Sequence, residues 1–323
     1  MSASPVQVTF ENFVRVESAR MFTGIAAAAG GTNVWNHVLV PTPIDEQTVI
    51  RMNRDTLYSA AIIDVSAGAT LTVPDAGNRY ISVMLVNEDH YINRVLHSGG
   101  SYDLRADELG SEFVLAAARI LVDPGDAADV AAVNALQQEL ALSSAAGRAY
   151  EAPAYDEASF TATRGAILEL GKGLDGYARC FGARDEVDPI RHLLATAMGW
   201  GGLPETEASY YNVMPELPVG EYSLTVGEVP VDGFWSISLY NADGFFEEQA
   251  TGKNSVNSIT AAPNVDGSVT VRFGGDPAAA NALPIMDGWN YLVRMYRPRP
   301  EILDGTWVFP GIDAPRAGDG TPA

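Results

Sequence analysis

Near the start of the chain, apolar residues recur at helical spacing. Phe10, Phe13, Val14, Met21, Phe22 and Ile25 form one stripe, with Thr9 as N-cap and Gly30-Gly31 as the stop. One position on the buried face is a misfit, Glu17. A carboxylate there must be paired, protonated or functional, because burying it alone costs several kcal/mol. After Pro41-Thr42-Pro43 the period changes. Residues 48–65, 69–73 and 79–86 are rich in β-formers, and YISVMLV at 80–86 is apolar at nearly every position, as suits a central strand covered on both sides. That strand runs into Asn87-Glu88-Asp89-His90.

The middle of the chain returns to helical spacing. Val130, Val133, Leu136 and Leu140 mark one helix after Asp123-Pro-Gly-Asp126, and Phe160, Ile167, Leu170, Leu174, Tyr177 and Phe181 mark a second. A third starts at Asp188 with Pro189 behind it, an N-cap followed by proline at the first helical position. Its apolar stripe reads Ile190, Leu193, Leu194, Ala197 and Met198, which leaves Arg191 and His192 off it. Strands return at 222–226, 234–240, 268–273 and 289–297, with Asp266-Gly267 as a tight turn. In FWSISLY at 234–240, Trp235, Ile237 and Leu239 share one face, and Ser236 and Ser238 define an opposite face expected to be less buried. The predicted architecture is α+β, with an N-terminal helix and β domain at 1–122, a helical segment at 123–200 and a C-terminal β domain at 201–323. The Gly, Asp and Pro-rich stretch beyond Pro310 reads as a loose end.

Composition agrees with this picture and narrows the chemistry. A length of 323 residues favours two domains, and 47% hydrophobic with 19% charged residues is globular. The formal net charge of −21 opposes a nucleic-acid partner and docking to anionic lipid. No apolar run approaches the ~20 residues that span a bilayer, and the start shows no secretory pattern, so the expectation is a soluble, cytoplasmic protein. The single cysteine, Cys180, has no internal disulfide partner and reads as an inert, buried helical position.

Gly171-Lys-Gly173-Leu-Asp-Gly176 fits the dinucleotide fingerprint by letter, but it follows a helical pattern where the fingerprint needs a strand, so no nucleotide cofactor is expected. P-loop, nucleophile-elbow, zincin and EF-hand patterns do not occur. Longer stretches do carry a resemblance. These are VIRMNRDTLYSAAIID at 49–64, RYISVMLVNEDHY at 79–91, VDPIRHLLATAMGWGGLPE at 187–205, VPVDGFWSISLYNADGFF at 229–246 and LPIMDGWNYLVRMYRPRPEILDGTWVFP at 283–310. Together they resemble a bacterial family that pairs the domains of unknown function numbered 1254, N-terminal, and 1214, C-terminal. The resemblance implies two β-sandwich, jelly-roll-like domains with accompanying helices, and it implies no activity.

Candidate chemistry therefore comes from polar residues that suit packing poorly. His90 and Asp89 lie where a buried strand ends, and His192 lies off its apolar stripe. Either imidazole is a candidate base, with Tyr58 and Arg54 or Arg294 stabilising negative charge on a small polar or anionic substrate between domains, in hydrolase or lyase chemistry. Asp55 beside Arg54, and Tyr240, Asn241, Arg294 and Tyr296 at the later strands, are candidate substrate-binding groups, since a guanidinium suits a carboxylate. A divalent metal on His37, His90, His192 and Glu17 or Asp89 is an alternative that their wide separation in sequence argues against. A non-catalytic sandwich that binds a small ligand or a partner chain is the other reading, and a homo-oligomer stays open.

Overall fold

The computed structural model describes residues 4–47, 50–249 and 252–313. Two compact units interleave along the sequence. One comprises the chain to Leu39, Leu57–Leu121 and Val130–Glu205; the other comprises Val40–Thr56, Val122–Asp129 and the chain from Thr206 onward.

The first unit carries, in chain order, α1 (Phe13–Ala29), β1 (Asn36–His37), β2 (Thr56–Asp64), β3 (Ala69–Val73), β4 (Ile81–Asn87), β5 (Ile92–Leu96) and β6 (Gly100–Leu104). It continues with α2 (Ala106–Leu109), β7 (Phe113–Leu121), α3 (Ala127–Glu139), β8 (Ala141–Ser144), α4 (Glu157–Gly171) and α5 (Pro189–Gly199). The first residue of β2 and the start of α3 count with the second unit. Five strands form a sheet in the order β1-β2-β7-β4-β5, and three more form β6-β3-β8. Strand β4 is buried at all seven positions, as its apolar sequence predicts. The helices α1, α4 and α5 share a core of Phe13, Val16, Phe160, Ile167 and Ala197 with Val8.

Local signals place several boundaries. Asp188 caps α5 by accepting from the N–H groups of Ile190 and Arg191, and Pro189 follows it. Gly30, at φ +83°, stops α1 in the left-handed conformation that favours glycine. Four readings need correction. Thr9 is not the cap of α1: its N–H donates to Asn12 Oδ1, which folds 7–12 into a turn, starts the helix at Phe13 and leaves Phe10 exposed. Helix α4 ends at Gly171, where a glycine-rich turn begins, so Cys180 is buried in a turn instead of a helix; Leu170, on the outer face of α4, and Tyr177, beyond its end, are exposed. The β run expected over 48–65 becomes a strand only at Thr56, because Asn53 Oδ1 accepts from the Asp55 N–H and turns the chain; Thr48 and Val49 lie outside the described residues. The expected stripe of α5 holds only in part: Ala197 is buried and Leu193 and Leu194 pack on the helical core, but Ile190 is 70% exposed and Met198 is exposed, while His192, Ala195 and Thr196, off the stripe, are buried.

The second unit carries β9 (Ala208–Val213), β10 (Tyr222–Val226), β11 (Trp235–Tyr240), β12 (Ser255–Asn257), β13 (Val269–Phe273), β14 (Ala282–Leu283), β15 (Asn290–Tyr296) and α6 (Pro300–Leu303). Its sheets run β12-β11-β15-β9 and β10-β13-β14, and both are open. One core draws on both, with Leu224, Val271 and Phe273 from the smaller sheet and Trp235, Ile237, Val293 and Met295 from the larger. The serine face of β11 is buried, against expectation: all six positions of the strand are covered. Segment 51–55 of the same unit lies on that face and bonds to it, as described below. The loose end expected beyond Pro310 lies, from residue 314, outside the described residues.

Candidate functional site

In the first unit the β4–β5 turn is built by Asn87, whose Oδ1 accepts from the N–H groups of Asp89 and Tyr91. The turn throws His90 into the left-handed region at φ 63°. A bulky residue held there costs roughly 1 kcal/mol or more, so the side chain must repay it. It does so through a largely buried hydrogen-bond chain. The Gly201 N–H donates to His90 Nε2 at 2.9 Å, which fixes the ring proton on Nδ1, and Nδ1–H donates to Thr196 Oγ1 at 2.8 Å. The Thr196 hydroxyl in turn donates to the His192 carbonyl at 2.7 Å. Burial, with His192 alongside, pushes the His90 pKa well below the ordinary histidine range, so the ring is neutral.

His192 stands next to it. Trp200, His90, His192 and Tyr91 form a column of rings with successive centroids 5.1, 5.3 and 4.9 Å apart. His192 Nδ1 faces the Cys180 carbonyl at 3.0 Å and Nε2 faces the Asp89 carbonyl at 3.2 Å. The two imidazoles singled out in sequence do meet. Both partners of His192 are carbonyls, which only accept, so a ring carrying one proton donates to one of them. The Asp89 carboxylate points elsewhere and pairs with Arg15 at 3.1 Å. Tyr58 lies under the Arg119 guanidinium, 5.5 Å from the ring centroid, and Arg119 in turn donates to the Gly201 carbonyl. Glu17 is clamped by Arg20 through two bonds of 2.8 Å, an ion pair. His37 bonds Ser59 and stacks on Trp35. The metal alternative needs these residues together, and among the described residues no three His, Cys, Asp or Glu side chains are grouped to hold an ion.

In the second unit Arg294 is buried on the polar face of β15. Its Nη1 donates to Ser238 Oγ at 2.7 Å, and its Nη2 donates to the Arg51 carbonyl and the Tyr240 hydroxyl, each at 2.8 Å. Tyr240 donates onward to the Met52 carbonyl, and burial raises its pKa. Asp55 accepts from Ser236 Oγ at 2.7 Å and lies 3.9 Å from Arg294 Nη1. Tyr296 accepts from Asn53, and Asn241 closes its own turn by accepting from Asp243 and Phe245. Arg294, Tyr240, Asp55 and Ser236 cluster, and the Arg294 donors hold 51–55 against the sheet. Arg54 is different. Its Nε is shut off from solvent with no hydrogen-bond partner, and no carboxylate reaches ion-pair distance of it among the described residues. Burial lowers its pKa, only partly offset by the neighbouring Asp55 charge.

Sequence reasoning missed Thr196 and Gly201, which define the state of His90. The signal was present: His192 and Thr196 are four apart with Ala195 between, a narrow small-and-polar helix face that larger apolar neighbours outweighed. Among the described residues, no helix is long and apolar enough to cross a membrane.

Comparison with known proteins agrees with this architecture. The VPA0106 protein from Vibrio parahaemolyticus aligns over 95% of this chain and 98% of its own, with a TM-score of 0.73 at 17% identity. A putative uncharacterized protein from Burkholderia cenocepacia aligns over 94% and 86%, with a TM-score of 0.51 at 15% identity. At such identities the likeness concerns the fold alone. No protein of curated function matches. The family model described as protein of unknown function DUF1254 matches residues 32–101, and the one described as protein of unknown function DUF1214 matches residues 218–300. This chain therefore pairs the domain of unknown function 1254, on its N-terminal side, with the domain of unknown function 1214, on its C-terminal side.

Proposed function

We propose that this protein binds a small anionic organic molecule through Arg54, and that its histidine column and its Arg294 cluster are structural. The observation that carries this reading is the unpaired guanidinium. The chain holds 41 acidic residues against 20 Lys and Arg, yet none of the described carboxylates pairs with Arg54. A partly desolvated cation whose neighbouring Asp55 charge only partly offsets its burial, with no ion pair of its own, lowers stability, and a carboxylate or phosphate arriving from solvent removes that cost through a charge-assisted contact. Hydrolase or lyase chemistry would need a base with a lone pair to spare. His90 Nε2 lends its own to Gly201, and that favours binding over catalysis. The reading of both units as jelly-roll-like sandwiches belongs to the same proposal, supported in the second unit by the core its two sheets share.

The test is thermal denaturation of wild type and Arg54→Met with phosphate, acetate, succinate and citrate. A ligand at about 100 times its Kd adds about 2.7 kcal/mol to wild type and nothing to the variant. Without ligand the variant is as stable as wild type or more so, by about 1 kcal/mol once the solvent still reaching Arg54 is allowed for. A variant that loses 2 kcal/mol or so, as expected when a paired buried charge is broken, or that keeps its anion response, overturns the proposal.

A further inference from the structure

Helix α3 buries a glutamine. The Gln137 side chain is fully enclosed, and its Nε2 lies 3.2 Å from the Val38 carbonyl, 3.1 Å from the Tyr58 carbonyl and 3.1 Å from Ser59 Oγ. Carbonyl oxygens only accept, so the amide cannot be flipped without setting Oε1 against two of them. Its orientation is therefore determined, and Oε1 is left on the other side, enclosed and without a partner among the described residues.

Two more atoms share that condition nearby. Ser59 Oγ, which accepts from Gln137, is also 2.8 Å from His37 Nδ1, and His37 pairs with Ser59 in the β1–β2 register. Trp35 stacks on His37 with centroids 6.1 Å apart, and its indole Nε1–H is enclosed and unpartnered among the described residues. Asn134 precedes Gln137 by three residues, one turn along the same helix face, and its Oδ1 is in the same state. One donor and two acceptors are thus left over on Gln137 itself, on the ring stacked against His37 and one turn along the Gln137 helix. Each orphan costs about 1–3 kcal/mol, which a native fold does not sustain three times over without compensation.

We infer that Trp35, Asn134 and Gln137 form a binding site for one uncharged group that offers one hydrogen-bond acceptor and two donors. The acceptor takes the Trp35 indole proton, and the donors reach Gln137 Oε1 and Asn134 Oδ1. A carboxamide head has this complement, and so does a single internal water, which typically makes about three such bonds. The lining disfavours charge: Trp35, Ser59, Asn134 and Gln137 are neutral and burial holds the His37 pKa down, so among these residues neither sign finds a counter-ion. The site lies within the first unit and stands apart from the Arg54 reading.

A high-resolution crystal structure of the full chain, grown with and without acetamide, tests this directly. Density bonded to Trp35 Nε1, Asn134 Oδ1 and Gln137 Oε1 is expected. If acetamide replaces a water at that position and raises the wild-type Tm but not that of Asn134→Leu, the occupant is an amide head; if the water persists and Tm does not move, the site is a structural water site. Both outcomes support the inference. A dry site in both crystals, or rotamers that pair the three atoms with other protein groups, overturns it.

Discussion

Enclosing His90 as a neutral ring makes the stability of the first unit depend on pH in a window that can be calculated. In the unfolded chain the imidazole titrates near its ordinary pKa of about 6.5. In the fold its pKa is depressed by burial and by His192, so the native state refuses a proton that the unfolded state accepts. The unfolded state then binds more protons as pH falls, and stability drops with it. The loss opens near pH 6.5 and accumulates downward until the folded ring protonates. With the folded ring neutral throughout, the integrated loss between about pH 7 and pH 5 is about 2 kcal/mol. His37, also depressed by burial, adds a smaller loss of the same sign. Asp64 acts elsewhere: against the upward push of burial, its bonds from Arg148 and Ser66 hold it below the usual carboxylate range, so its contribution is lost only below about pH 4. The perturbation is His90→Asn, chosen because asparagine tolerates the left-handed backbone. Urea denaturation at pH 7, 6 and 5 should show the variant losing about 2 kcal/mol less than wild type across that range. Amide hydrogen exchange gives a second readout in the wild type alone. The Gly201 N–H is bonded to His90 Nε2, so its protection should weaken at acid pH relative to its neighbours. Equal pH slopes for wild type and variant, together with a Gly201 amide that follows its neighbours, would refute the assignment of a neutral, enclosed His90.

Three variants probe the second unit. Arg294→Met should cost roughly 3–5 kcal/mol in denaturant melts, because it strands Asp55 and releases 51–55 from the sheet, while Asp55→Asn should cost less since the Ser236 bond can re-form to the amide. Gly274→Ala should lower Tm sharply, costing more than ~1 kcal/mol, since its backbone sits at φ +76° and the added Cβ would overlap the Gly220 carbonyl oxygen.

What the sequence determined alone were features whose causes lie within about one helical turn or one strand. The Asp188-Pro189 start of α5, the Gly30 stop of α1 and the apolar run of β4 each rest on capping, backbone freedom or local hydrophobicity. Glu17 was legible as a misfit, and the clamp by Arg20, three residues away, resolves it locally. Tertiary structure decided which polar side chains are enclosed and which keep bonding capacity. Ser236 reads as a solvent-facing strand residue until Asp55, 181 positions earlier, covers it, and Arg294 reads as an available guanidinium until the Arg51 carbonyl, 243 positions earlier, occupies it. His192 lay off the apolar stripe in sequence and became part of the buried face, where the carbonyls of Asp89 and Cys180 face its two ring nitrogens. A polar group is buried only where a complementary partner arrives to replace water, and hydrophobic spacing holds no record of a partner that comes from so far along the chain.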